Sequence, residues 1–459
     1  MITMKKITLL ILFFGNFIFA QNFTDHLIDS TTGDALSTKI TDLDNDGDLD
    51  IIAAYYNEPG TTNTGKLVWY ENDGSQSFTN HVIDNAINGA IYVAVVDANN
   101  DGNKDLLLNA YDGNALYLYA NLGGTPISFS PKLTLDAAAI GSNYSADADF
   151  DGDNILDAVS ANYGGGELAW YKWDGNISIV KNVIDAAIPA VSSVETGDLN
   201  ADGNMDLVVA AGNALYWYSN NGAGNFTKNN IPASNGFNGA ITAYFVDFDG
   251  DSDLDIIGSA SALDEVAWFE NDGNQVFTKH IVGSGVDYAS YGMATDFNND
   301  GNMDVVVSAT NTNELLWFEN DGTNLVFTQH VAATAATVGD SYAIDLNDID
   351  GDGDIDVSLT APGPNKLFWL ENDYVNVVNI DDLFLFNIQY YPNPVKDTLT
   401  IQANEEIQNV KIYNMLGQLV TNQNATSTET TLDTKTLSVG AYFVKTQIKN
   451  QVFTFKIIK

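Results

Sequence analysis

The chain of 459 residues sets 61 acidic residues against 18 lysines and no arginine, a formal net charge of −43. That balance argues against nucleic-acid binding, which needs basic stripes, and leaves no bidentate guanidinium for phosphate or carboxylate. With 45% hydrophobic residues and no cysteine, there is ample core for more than one domain and no disulfide to staple it.

The opening "MITMKKITLLILFFGNFIFAQ" reads as a secretory signal peptide over residues 1–20: Lys5 and Lys6, an apolar run from Ile7 to Phe19, then Ala20 before cleavage. No later stretch looks transmembrane. Residues 21–378 read as one repeating domain, 379–387 as a linker and 388–459 as a second domain. Charge divides the same way. Residues 21–380 hold 9 lysines and 54 acids, whereas 381–459 hold 7 of each.

Within the first domain an acidic nonamer returns seven times, starting at Asp42, Asp97, Asp149, Asp198, Asp247, Asp296 and Asp348, at spacings of 55, 52, 49, 49, 49 and 52 residues. Each fits D-x-[DN]-x-D-x-x-x-D. An aromatic strand such as "KLVWYENDG" (Lys66–Gly74) or "EVAWFENDG" (Glu265–Gly273) follows, then a strand such as "FTNHVID" from Phe78. Asn-Asp-Gly between alternating runs is a hairpin signal. Four short antiparallel strands in about 50 residues make one propeller blade. Seven copies predict an all-β, seven-bladed propeller. The seventh unit ends at "KLFWLEND" (Lys366–Asp373) without its last strand, while the mature N-terminus begins "NFTDHLID" (Asn22–Asp29). The predicted closure lets Phe23–Ile28 complete blade seven.

The seven loops contain 28 carboxylates. Like charges this close need a counter-ion, and calcium accepts six to eight hard oxygens at flexible geometry. The predicted ligands are the side chains at positions 1, 3 and 5, the carbonyl at position 7 and the side chain at position 9. In the first loop these are Asp42, Asp44, Asp46, Asp48 and Asp50; in the second Asp97, Asn99, Asp101, Asn103 and Asp105; in the third Asp149, Asp151, Asp153, Ile155 and Asp157. The fourth supplies Asp198, Asn200, Asp202, Asn204 and Asp206, and the fifth Asp247, Asp249, Asp251, Asp253 and Asp255. The sixth supplies Asp296, Asn298, Asp300, Asn302 and Asp304, and the seventh Asp348, Asp350, Asp352, Asp354 and Asp356. Position 6 must turn with positive φ; it is Gly in five loops but Asn154 and Ser252 in the others, so the fifth loop is the least comfortable by shape. An EF-hand is excluded, because position 12 is Ala53 or Leu108 where a bidentate Glu is needed. Magnesium suits the pattern less well, since it demands stricter geometry.

This tandem motif resembles the FG-GAP/VCBS repeat family, the integrin-α-like propellers, over about residues 23–373. The resemblance implies structural calcium, up to seven ions, in loops joining the first and second strands of each blade. The chain departs from the family pattern in loading all seven blades and in lacking a clear Phe-Gly/Gly-Ala-Pro signature. From about Tyr390, the fragments "YYPNPVKDTLTI", "VKIYNMLGQLV", "LSVGAYFVKT" and "FKIIK" read as a small Ig-like β-sandwich. In that order they resemble the type A sorting domain of the type IX secretion system. That resemblance implies a Gram-negative host among the Bacteroidetes, the secretion machinery as a partner, and a secreted or cell-surface destination.

No nucleophile elbow, cysteine nucleophile or phosphate loop is present. All four histidines, His26, His81, His280 and His330, fall at one repeat position, which argues for a structural place. Trp69, Trp170, Trp217, Trp268, Trp317 and Trp369 read as core, and Trp173 as exposed. Glu167, Glu195 and Asp264 are carboxylates outside the repeat pattern. Six residues beyond the closing aspartate stand Tyr56, Tyr111 and Tyr163 in blades one to three only. At ~3.3 Å per residue they lie about 20 Å from the acidic loop, on the face where propellers commonly bind ligands. They are the candidate contacts for a glycan or protein ligand. The expected function is a non-enzymatic binding or adhesion module; the alternative is a polysaccharide lyase or hydrolase built on the same scaffold.

Overall fold

Each acidic nonamer fills the reversal between a partly buried first strand and a wholly buried second one. In blade one the strands are Ala35–Thr41, Asp50–Tyr55, Gly65–Asn72 and Phe78–Ile87, antiparallel in that order. Successive side chains of the first strand meet the two neighbouring blades: Ser37 accepts the Val93 amide of blade two and Thr38 donates to Ser358 of blade seven. The second is buried at all of its positions, as expected for the middle of a layered sheet. The same arrangement, first strand to outer strand, recurs in six further four-stranded sheets, so the molecule is a seven-bladed propeller. It is described from a computed structural model covering residues 22–31, 33–57, 64–173, 179–373, 388–414, 419–435, 437–438, 440–448 and 451–459. The expected signal peptide and linker lie outside these residues.

Blade seven is assembled from both ends of the repeat domain. Its inner three strands are Ile344–Asn347, Asp356–Ala361 and Lys366–Asp373, and its outer strand is Asn22–Asp29. Asn22 stands opposite Asp373 and His26 opposite Trp369. His26 stacks on Trp369 at 4.3 Å between ring centres and approaches Glu371 to 2.6 Å. Blades one, five and six repeat this pairing, with His81 on Trp69 and Glu71, His280 on Trp268 and Glu270, and His330 on Trp317 and Glu319. The histidines therefore cover buried indoles and bind third-strand glutamates.

A tyrosine–aspartate tie links successive blades. An Asp at or near the end of an outer strand accepts the phenol of the next blade's third strand: Asp29 from Tyr70 at 2.8 Å, Asp84 from Tyr119 at 2.8 Å, Asp136 from Tyr171 at 3.0 Å, Asp185 from Tyr218 at 3.0 Å. Burial pushes Asp84 up, but the Ala86 amide, Lys132 and Tyr119 outweigh it and hold the carboxyl below its usual range. Where the third strand carries Phe318 instead of tyrosine, the preceding blade offers Gly283, whose missing Cβ leaves room for the ring. The six repeat tryptophans are buried as expected. Trp173 is a correction: it is only 7% exposed, because it takes the place that Asn72 holds in blade one and packs into the core.

The C-terminal β domain has its own core, with Leu399, Ile401, Ile407, Val410, Val444 and Ile457 at its centre. Its long strand Thr398–Tyr413 pairs with Leu419–Asp433 along most of its length, with Gln389–Tyr391 at one end and with Ala441–Ile448 at the other. Gln451–Ile458 adds to the edge. Among the described residues, no helix is long and apolar enough to cross a membrane.

Candidate metal centres

Two left-handed residues shape every acidic loop. Position 6 has φ of 101° at Gly47 and 98° at Gly353, and Asn154 and Ser252 adopt 65° and 79° in the same place. Position 4 is left-handed as well, in all seven loops, from Asn45 at 62° to Gly351 at 73°. The second reversal escaped the sequence reading, although Asn, Gly or Ala at every position 4 was its signal. Between the two reversals the loop curls around the side chain at position 1. Asp42 accepts the Asp46 amide at 3.1 Å and the Gly47 amide at 3.2 Å, and Asp44 accepts the Asp46 amide at 3.2 Å.

Position 9 anchors the loop to the sheet. Asp50 is wholly buried and accepts the Leu43 amide at 3.0 Å and the Asn72 amide at 2.8 Å. Asp105, Asp255, Asp304 and Asp356 make the same two bonds to their own loop and third strand. Burial pushes Asp50, Asp105 and Asp255 up to about 6, Asp157, Asp206 and Asp356 to about 7, and Asp304 to about 8. A carboxylate in that setting calls for a cation. The position 7 side chains reach elsewhere: an added Cβ on Gly74, Gly222 or Gly273 would run into Asp48, Asn204 or Asp253. The glycine of the Asn-Asp-Gly turn is thus a seat for the acidic loop.

The loops bring carboxylates together. Oxygens of Asp42, Asp44 and Asp50 lie within 4.8 Å of one another, as do those of Asp149, Asp151 and Asp157, of Asp348, Asp350 and Asp356, and of Asp247, Asp249 and Asp251. Ligands 2.3–2.6 Å from a shared ion must lie within about 5 Å of each other, so these clusters could hold a metal ion. Asp157 is 1% exposed and its Oδ2 has no hydrogen-bond partner, a buried oxygen that a cation would satisfy. Loops two, four and six carry Asn at position 3. Asn99, Asn200 and Asn298 accept the position 5 amide at 2.9, 3.0 and 3.0 Å, as Asp44 does. Position 9 joins positions 1 and 3 in three clusters, and position 5 does so only in the fifth loop, despite Ser252.

Of the tyrosines, Tyr111 and Tyr163 meet at 6.4 Å between ring centres, tilted 45°. Tyr163 is 42% and the adjacent Ile140 55% exposed. Tyr56 donates to Asp112 at 2.6 Å, and burial together with that carboxylate raises its phenol to about 12. The carboxylates outside the repeat lie apart in the fold. Glu167 is bound by Lys181 at 2.6 Å, and Asp264 accepts the Tyr288 amide at 3.0 Å.

Glu195 lies on the ring axis, where side chains from non-adjacent blades meet. Tyr144 donates to Glu195 at 2.9 Å and meets the Tyr244 hydroxyl at 3.0 Å, while Tyr92 stacks on Tyr144 at 3.7 Å. Lys39 pairs with Asp345 at 3.3 Å. The sequence signal was the residue three before each loop, which is Lys39, Glu195, Tyr244 or Asp345 in four blades and alanine or Met293 in the rest. Burial drives Glu195 up to about 7, against the opposing pull of Lys39 and Tyr144. Its folded value therefore exceeds its unfolded one of 4.5, and its contribution to stability is lost as pH rises through about 7. Glu195→Gln is expected to stabilise the protein at pH 8 by about 1–2 kcal/mol and to make no difference at pH 4.5. Thermal melts of both proteins across that range, at constant calcium, check this.

A sequence profile of FG-GAP-like repeats matches residues 42–108, 149–209, 198–258 and 296–359, more than half of the chain. The chain belongs to the FG-GAP-like repeat family. Residues 389–459 match the secretion system C-terminal sorting domain. This FG-GAP-like protein is accordingly exported by the type IX system of Bacteroidetes to the cell surface or beyond. Among solved structures it is similar to BBS1N from the complex with ARL6DN, at 12% identity and TM-score 0.51, over 77% of this chain and 96% of that one. It is also similar to an Agrocybe aegerita lectin specific for non-reducing terminal N-acetylglucosamine (18% identity, 66% and 80% covered, TM-score 0.47). PorZ, a surface component of the type IX secretion system of Porphyromonas gingivalis, gives 13% identity over 89% of this chain and 58% of that one, with TM-score 0.48. These likenesses concern fold. No curated protein matches the chain.

Proposed function

We propose that the protein is a calcium-stabilised propeller displayed outside the cell, which binds a glycan or protein ligand through the face carrying Tyr56, Tyr111 and Tyr163 and catalyses no reaction. Calcium would be held by positions 1, 3, 5 and 9 with the position 7 carbonyl, and its role is to neutralise the loops. The observation that carries the binding role is the tilted pair Tyr111 and Tyr163 beside exposed Ile140. Two ring faces and an aliphatic side chain on a strongly acidic surface suit the apolar face of a sugar ring, with nearby carboxylates to accept its hydroxyls.

The non-catalytic reading is supported by the occupation of the histidines and of Glu167 in structural pairs. Tyr111→Ala is expected to weaken binding roughly three- to tenfold on a glycan array or surface-binding assay, with the melting temperature retained. Equal binding by parent and variant, on an array that detects the parent, would remove the face from consideration. Release of unsaturated or reducing ends from a polysaccharide panel would replace the binding role with an enzymatic one.

A further inference from the structure

The third-strand residue before the Asn whose amide binds the position 9 aspartate faces the acidic loop, and it divides the blades. It is Glu71, Glu270, Glu319 and Glu371 in blades one, five, six and seven, and each of these glutamates is held by its blade's histidine. Blades two and four carry Ala120 and Ser219 at that place and no histidine, and blade three departs further. Asp157 accepts the Trp173 amide at 2.9 Å as Asp50 accepts that of Asn72, so Lys172 occupies the glutamate position. Asn182 stands opposite Trp170, as Asn229 stands opposite Trp217 in blade four, where blades one, five, six and seven set histidine against tryptophan.

Lys172 enters the loop. Its ammonium bonds to Asp151 at position 3 and lies 3.0 Å from Asp153 at position 5. We propose that blade three carries its own cation, Lys172, in the place where the other acidic loops take calcium, so that the protein binds no ion at Asp149–Asp157. This rests on the calcium reading of the other loops. An ammonium between two ligand carboxylates both uses their oxygens and repels a divalent ion at the same point. The loop keeps ligands in reserve: Asp151 Oδ1 and Asp157 Oδ2 are buried without hydrogen-bond partners, and Asp149, Asp151 and Asp157 converge within 4.8 Å. Removing the lysine should therefore open a calcium site.

The test is calcium stoichiometry of the full mature chain at saturating calcium, by equilibrium dialysis. Lys172→Glu, which installs the residue of blades one, five, six and seven, is expected to bind one more ion per chain than the parent. A second pair of variants serves in the parent background if Lys172→Glu fails to fold. Asp149→Asn should leave the stoichiometry unchanged, while Asp42→Asn in blade one should lose one ion. The inference is overturned if Lys172→Glu binds the same nonzero number as the parent, or if Asp149→Asn loses an ion. A parent that binds no calcium at all overturns the calcium reading itself, and this inference with it.

Discussion

Deleting residues 22–29 is expected to abolish cooperative folding of the propeller, or to lower its melting temperature by more than about 10 °C. The segment is the outer strand of blade seven, aligned from Asn22 opposite Asp373 to Asp29 opposite Leu367. Without it, the strand Lys366–Asp373 becomes an open edge, with unpaired amides and carbonyls ready to template aggregation. Trp369 loses the stacked ring of His26, and Phe297 of the neighbouring blade loses Phe23 at 5.7 Å. Tyr70 in blade one loses Asp29 and keeps only the Tyr55 hydroxyl at 2.5 Å, and a hydrogen bond to a charged group contributes about 1.5–3 kcal/mol. Together these reach several kcal/mol, comparable with the whole stability of a domain. Thermal melting and size-exclusion chromatography of the truncated protein would decide it; a monomer with the parent's melting temperature would show that the ring does not depend on this strand.

Calcium removal should have the next largest effect. An ion bound only by the folded state adds RT ln(1 + [L]/Kd), and extracellular loops often have Kd of about 10⁻⁴–10⁻³ M. At millimolar calcium each site then contributes on the order of 1 kcal/mol, and six or seven sites together decide whether the ring holds. A chelator is expected to lower the melting temperature by roughly 10 °C, with magnesium a poor substitute. Identical melts with calcium and with chelator would sink the calcium reading. The loops already fold around internal hydrogen bonds such as those from the Asp46 and Gly47 amides to Asp42, so chelation should loosen them without changing their outline.

The repeat was legible because its signals are local. Period, Asn-Asp-Gly turns and alternation together specify four strands per unit, and the glutamate, tryptophan and histidine positions recur in register. Position 4 of the loop was readable in principle and was missed, since only the glycine-rich position 6 stood out. Trp173 was misjudged because its offset from Trp170 suggested a different face, whereas it substitutes for a buried asparagine. Lys172 was invisible as a functional residue, since a single lysine in an aromatic strand has no meaning until the loop it enters is known.

By itself the sequence determined the number of blades, the placement of the acidic loops between first and second strands, the exchange of the outer strand at the ring closure and the presence of an export tail. These follow from short-range pattern and from what is missing at one end and supplied at the other. Only the tertiary structure decided which carboxylates converge, that Tyr70 finds Asp29 and Tyr119 finds Asp84, and that Lys39, Glu195, Tyr244 and Asp345 share the axis. Those contacts join residues up to 306 positions apart, as in Lys39 with Asp345, across a ring whose curvature no local pattern encodes.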